Sequence, residues 1–168
     1  IIPTVHFIRH NADQALSNVG TEQKLFDNPT NGALTLPTGI YTFSCMFRIT
    51  GMSATSGNLA FDILGAGTAT LTDVMYHGSG VDANTPTNAA TQTGAFSVTG
   101  QSAASIVTAG TGTAMAVEIN GMFDVSGAGT IIPSITLVTA SAITVSAGSY
   151  FQCYCLGATA VESTGNWS

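Results

Sequence analysis

The residue types in this sequence that can do chemistry are few: three histidines, nine carboxylates and three cysteines. A nucleophilic triad needs Ser or Cys, His and a carboxylate to converge. His6 and His10 lie in the first fourteen residues, and His77 borders a long polar stretch. Gly78-Ser-Gly80 is too short to be a Gly-x-Ser-x-Gly elbow. Glycoside cleavage needs two carboxyl groups about 5 to 10 Å apart across a groove. Asp62, Asp73, Glu118 and Asp124 fall on separate strand-like segments, so each reads better as a solvated strand-face residue. Asp73, Asp82 and Asn84 lack the Asp-x-Asp spacing of a calcium loop. His6 and His10 would share a metal only on a helix, and an ordinary arm is the preferred reading. Cys45, Cys153 and Cys155 are odd in number, which argues against a disulfide framework. A bridge between Cys153 and Cys155, two apart on one strand face, would be strained. A metal site from all three lacks a placed histidine. They read as buried small apolar residues. The Gly-x-Gly pairs at 65–67, 78–80, 110–112 and 127–129 lack the third glycine of a dinucleotide loop and read as turns. The expectation is therefore no catalytic residue, no metal and no cofactor.

Composition narrows the partners. The chain carries 3 basic and 9 acidic residues, a net charge of −6, and its charged fraction is 7%. Arg9, Lys24 and Arg48 are too few to neutralise a phosphate backbone, so neither nucleic acid nor an anionic membrane surface is expected. No apolar run approaches the roughly 20 residues of a membrane-spanning helix. Ile1-Ile-Pro-Thr4 shows no signal-peptide pattern and no initiator Met. The reading is a processed chain or a piece of a longer one, with the piece preferred.

The elements that would position any site are strands. In Gly39 to Thr50 the odd residues Tyr41, Phe43, Cys45, Phe47 and Ile49 are apolar, and the even ones are mostly polar. Strand side chains alternate between faces, so this segment buries one face and solvates the other. Thr113 to Val125 repeats the pattern, with Gly121 on the buried face as a possible bulge. Further strands are expected at 15–19, 23–26, 33–36, 59–64, 68–76, 95–99, 130–138 and 143–145, with Pro133 marking an edge or bulge. Val5 to Ile8 is either a first strand or an arm. Ser149 to Leu156 reads as buried on both faces. Asn31-Gly32 is a hairpin signal. Residues 51–57, 77–94 and 100–112 read as loops, and 77–94 is long enough to be functional. No window carries helical periodicity between caps. About eight to ten strands joined by Gly-rich turns mean an antiparallel sandwich or barrel, with 1–14 as an N-terminal arm or linker and 15–168 as one domain.

Lys24-Leu-Phe26, Gly32-Ala-Leu-Thr-Leu36 and Pro37-Thr-Gly-Ile-Tyr-Thr-Phe43 resemble the entry of a complement C1q/tumour necrosis factor-like jelly roll. Ile119-Asn-Gly-Met-Phe-Asp-Val125, Ala128-Gly-Thr130, Val145-Ser-Ala-Gly-Ser-Tyr-Phe151 and the closing Gly165-Asn-Trp-Ser168 are similar to jelly-roll domains of tailed-phage fibres, spikes and capsid decoration proteins. The resemblance implies an all-β jelly roll, a homotrimer and no catalytic site. It implies a place on the virion surface. Residues 1–14 fall outside the resemblance, and the expectation for them is an arm reaching other virion proteins. Low charge beside 45% hydrophobic residues independently favours closure into an oligomer. Tyr41, Phe43, Phe47, Tyr150, Phe151, Tyr154 and Trp167 are the candidate core or trimer-contact residues. Asn166-Trp-Ser168 is a formal glycosylation acceptor of little weight at this position. The alternative function is a host-receptor or glycan-binding module that uses the loops at one end of the sandwich.

Overall fold

The computed structural model describes residues 4–27, 32–54, 57–82, 92–98, 104–107 and 113–158; of 82, 92–98 and 104–107 it describes the backbone. Asn84, Asn166 and Trp167 lie outside the described residues, as does much of 77–94 and 100–112. The described elements are all strands: β1 (Val5–Arg9), β2 (Gln14–Ala15), β3 (Gln23–Lys24), β4 (Leu34–Leu36), β5 (Gly39–Thr50), β6 (Leu59–Asp62), β7 (Thr70–Asp82), β8 (Gln92–Val98), β9 (Ala104–Val107), β10 (Ala114–Gly127), β11 (Gly129–Ile131), β12 (Ser134–Leu137), β13 (Thr144–Val145) and β14 (Tyr150–Gly157). Among the described residues no helix is long and apolar enough to cross a membrane.

Every pairing among the described residues is antiparallel. One sheet runs β1-β14-β5-β10-β7-β8, with β13 joining β5 to β2; a second runs β3-β12-β6-β9; β11 and β4 form a short ribbon. The alternation in β5 works as its sequence requires. Tyr41, Phe43, Cys45, Phe47 and Ile49 are buried, while Met46 and Arg48 are exposed. β10 buries Met115, Val117, Ile119, Phe123 and Val125 on the same side. From the second sheet Leu59, Phe61, Ile135 and Leu137 close on this face, joined by Leu25 and Phe26. Phe43 sits at the centre, with ring centroids 5.5 Å from Phe151, 5.8 Å from Phe123, 6.2 Å from Tyr76 and 6.5 Å from Phe61. The Tyr76 hydroxyl donates to Phe61 O at 2.8 Å and ties the two sheets together inside this core.

The strands are more numerous than the sequence implies, and their ends differ. The expected strand at 130–138 is two, β11 and β12, with Pro133 between them because proline has no amide to give a ladder. β7 continues to Asp82, six residues past the expected end. Its inward positions there are Gly78 and Gly80, both buried, so apolar alternation disappears although the ladder to β10 persists. Ala104–Val107, expected in a loop, is β9 and pairs with β6. Gly121 is not a bulge. It pairs in register with Phe43 on one side and Tyr76 on the other. A Cβ there would stand 2.3 Å from Met75 O and 2.5 Å from Tyr76 Cβ, so glycine leaves the room in which the Phe43 and Tyr76 rings meet edge to face. The irregularity lies two residues on, where the β10–β7 register shifts between Met122 and Asp124. Asp73 absorbs it with φ of 49°, a left-handed conformation that Asp tolerates better than most residues.

Val5–Arg9 takes the first of its two expected forms. It pairs along its whole length with the first five residues of β14, from Val5 opposite Tyr154 to Arg9 opposite Tyr150. His10, just beyond, is buried against Phe26, with ring centroids 5.1 Å apart. Its Nε2 lies 2.8 Å from Leu25 O, and since a carbonyl only accepts, that nitrogen carries the proton.

Candidate binding face

The larger sheet has one face in the core and one turned outward. Registers define the outward rows. One runs Arg9, Tyr150, Met46, Glu118, Ser79. The next runs Phe7, Gln152, Ser44, Asn120, His77, and the third Val5, Tyr154, Thr42, Met122, Met75. β14 is therefore not buried on both faces. Phe151 and Cys153 are in the core, whereas Tyr150 and Gln152 are half-buried and Tyr154 and Leu156 exposed. The sequence pattern misled because Tyr-Phe-Gln-Cys-Tyr-Cys places tyrosine outward, where its ring is amphipathic.

The candidate residues divide between the two faces. Tyr41, Phe43, Phe47 and Phe151 are core residues with almost no exposure. Tyr150 and Tyr154 are on the outward face, joined there by residues that alternation alone did not single out. Val5 is 58% exposed, Phe7 53%, Met75 51% and Met46 44%. Phe7 and Tyr150 stack with centroids 6.1 Å apart. The outward face therefore has an apolar half around Val5, Tyr154, Met122 and Met75.

The other half adjoins the sheet end where β5 and β7 finish and β8 and β10 begin. There Arg9 and Arg48, two of the three basic residues of the chain, lie on one face to either side of Tyr150. Arg48 Nη1 donates to Ser146 Oγ at 3.3 Å, and neither arginine forms an ion pair among the described residues. A depression of about 150 Å³ opens beside Arg48, lined by Met46, Ser79, Val81, Ala116, Val117 and Glu118. Sequence reading missed this grouping because 38 residues separate the two arginines along the chain; only the β1–β14–β5 register brings them together.

The other candidate groups do not converge. Asp62, on the second sheet, accepts the Leu64 amide at 2.9 Å. Glu118 accepts from Asn120 Nδ2 at 3.0 Å. Asp124 keeps one oxygen, Oδ1, buried without a hydrogen-bond partner among the described residues. His6 points inward with its ring edge on Tyr41 at 6.2 Å, and His77 is exposed on β7. No group of three or more His, Cys, Asp or Glu among the described residues could hold a metal ion.

The cysteines are free, Cys45 and Cys153 buried and Cys155 half-buried. Burial raises the Cys45 thiol well above its usual range. Burial, then the neighbouring Cys155, pushes Cys153 from 9.0 up to about 12. Burial, then the Cys155 and Cys153 thiols, pushes Tyr41 from 10.0 up to about 12. The Tyr41 hydroxyl also donates to Pro37 O at 3.0 Å. Each group is neutral when protonated, so the fold favours the protonated form. That stabilisation is complete below the unfolded values and is lost as pH rises through the folded ones. Denaturant titrations are expected to give a constant midpoint from pH 7 to 9 and a falling one from pH 9 to 12. Cys153→Ala is expected to reduce the size of that fall. A midpoint that holds steady to pH 12 would exclude these groups as its source.

No family model, curated protein or solved structure matches the chain.

Proposed function

We propose that the chain is a non-enzymatic structural protein of a virus particle, a jelly roll that closes into a homotrimer and stands on the particle surface as a capsid decoration or a fibre or spike head. The observation that carries this reading is the apolar half of the outward sheet face. Val5, Phe7, Tyr154 and Met75 are exposed together on one rigid surface of a chain with few charges to keep it apart from its copies. Apolar area of this kind is stabilised by association. The jelly-roll topology is supported by the strand orders. β1-β14-β5-β10 and β3-β12-β6-β9 lie in separate sheets, and the chain crosses directly between the two sheets after β2, β5, β6, β8, β9 and β12. The β7–β8 hairpin extends the first sheet.

Light scattering on the purified chain tests the assembly. The expected mass is three times 17.0 kDa, about 51 kDa, and Met75→Glu is expected to lower it by placing a charge on the apolar half. A 17.0 kDa species at tens of micromolar (on the order of the Kd range of weak interfaces) counts against the trimer. Antibody labelling of intact particles tests the location, and unlabelled particles count against it.

A second reading, a receptor- or glycan-binding module, is favoured by a different observation. The connections after β5 and β7 and those before β8 and β10 leave one end of the sheet, beside Arg9 and Arg48.

A further inference from the structure

We propose that the loop end of the outward face binds an acidic saccharide: its carboxylate lies between Arg9 and Arg48, its ring lies against Tyr150 and Met46, and its hydroxyls meet Glu118 and Ser79. This deepens the second reading above by naming the ligand class, and it rests on that reading.

The argument begins with charge. The chain has a net charge of −6, so its general field repels anions. Against that field, two of its three cations share one surface. Strand spacing puts their Cα atoms about 12 Å apart, two strands across and two residues along. From there two long guanidinium side chains reach a carboxylate held between them. Each presents several donors in a planar fork suited to a carboxylate, and Arg48 uses one nitrogen on Ser146 Oγ. Among the described residues neither arginine is in an ion pair, so an incoming carboxylate displaces no described carboxylate.

The neighbouring surface selects the rest of the ligand. Tyr150 is half-buried and held by its stack on Phe7, so its ring is pre-oriented. Beside it lies the depression of about 150 Å³, lined by the apolar Met46, Val81, Ala116 and Val117, with Glu118 and Ser79 following Met46 along one row. A mainly apolar hollow that carries two hydrogen-bonding side chains matches a sugar ring, which has a C–H face and a hydroxylated rim. A polyanion fits poorly. A second carboxylate or a phosphate run would meet Glu118 and the net negative field. An acidic peptide carries that disadvantage at each further carboxylate, so one sugar acid in an otherwise neutral glycan is the better match.

The experiment is an amide-shift titration of the whole chain with 3′-sialyllactose, lactose, trigalacturonate and a tetraglutamate peptide, each to about 10 mM, a range that reports weak contacts. 3′-Sialyllactose is expected to shift residues around Arg9, Arg48 and Tyr150, and lactose and trigalacturonate to bind at least tenfold more weakly. Arg9→Gln and Arg48→Gln are each expected to weaken sialyllactose by at least tenfold. Lys24→Gln changes net charge equally, but Lys24 lies on β3 of the other sheet beside Asp27; it is expected to leave affinity within twofold. Equal loss in Lys24→Gln means only the general field was read, and it overturns the proposal. Lactose binding as well as sialyllactose overturns the acidic-sugar assignment and leaves the glycan-binding reading standing. Trigalacturonate binding as tightly as sialyllactose overturns the single-carboxylate assignment. Tetraglutamate binding as tightly as the sugars replaces the saccharide with a peptide. No localised shift with any probe overturns both the assignment and the reading beneath it.

Discussion

Phe43→Ala is expected to lower stability by about 4 kcal/mol, near the upper part of the range for removing a large core side chain. The reason is position rather than size. Phe43 lies in the middle of the central strand, 3% exposed, and its ring meets those of Phe61, Tyr76, Phe123 and Phe151. These come from four other strands in two sheets, so truncation opens a void that no one element can close by shifting. Ladders on both sides of β5 fix the backbone around it. In a chain of this length the loss corresponds to a fall of about 8 to 16 °C in melting temperature. Phe43→Leu keeps much of the volume and is expected to cost about 1 to 2 kcal/mol. An alanine variant within about 1 kcal/mol of the parent in a urea titration would mean that Phe43 is not the centre of the core.

Gly121→Ala is expected to lose about 3 kcal/mol, a large effect for one methyl group. Overpacking a fitted core costs about 1 to 3 kcal/mol, and it reaches the top of that range when the opposing atoms cannot move. Here they cannot. The added carbon would meet Met75 O at 2.3 Å and Tyr76 Cβ at 2.5 Å, one a backbone atom and the other bonded directly to backbone in the β10–β7 ladder. Either the ladder opens at Tyr76 or that residue shifts and gives up its bond to Phe61 O. Gly157→Ala is the matched comparison. A Cβ there meets nothing within 4 Å, and a change within about 0.5 kcal/mol is expected. Similar denaturation midpoints for the two variants would show that close approach at Gly121 is not the constraint.

These two residues also mark how far the sequence could be read. Phe43 was legible because five odd-numbered apolar residues in a row have only one explanation in a strand, and the core forms on that face. β10 was legible for the same reason. Gly121 was visible as an exception, but a glycine in a strand signals either a bulge or a close approach, and choosing between them needs the identity of the neighbours, Phe43 and Tyr76. The second half of β7 was lost because Gly78 and Gly80 stand where apolar side chains would have announced it. β9 was lost because Ala104-Ser-Ile-Val107 is short and flanked by small residues. Tyr41, Phe43, Phe47 and Phe151 lie in the core, yet the outward face depends on register. The sequence does not say that Arg9 lies opposite Tyr150 and Tyr150 opposite Met46, so it could not bring Arg9 and Arg48 together.

The pairing of β5 with β10 and β14 also governs how the chain is made. β5 ends at Thr50, while its neighbours begin at Ala114 and Tyr150. At ribosomal rates of about 5 to 20 residues per second, this aromatic strand waits roughly five to twenty seconds for its second neighbour to be synthesised. During that interval its edges are open to the same segment on a nascent neighbour. Yield in the cell should therefore depend on translation speed and on chaperones that shield strand edges, more than on the equilibrium stability of the finished protein.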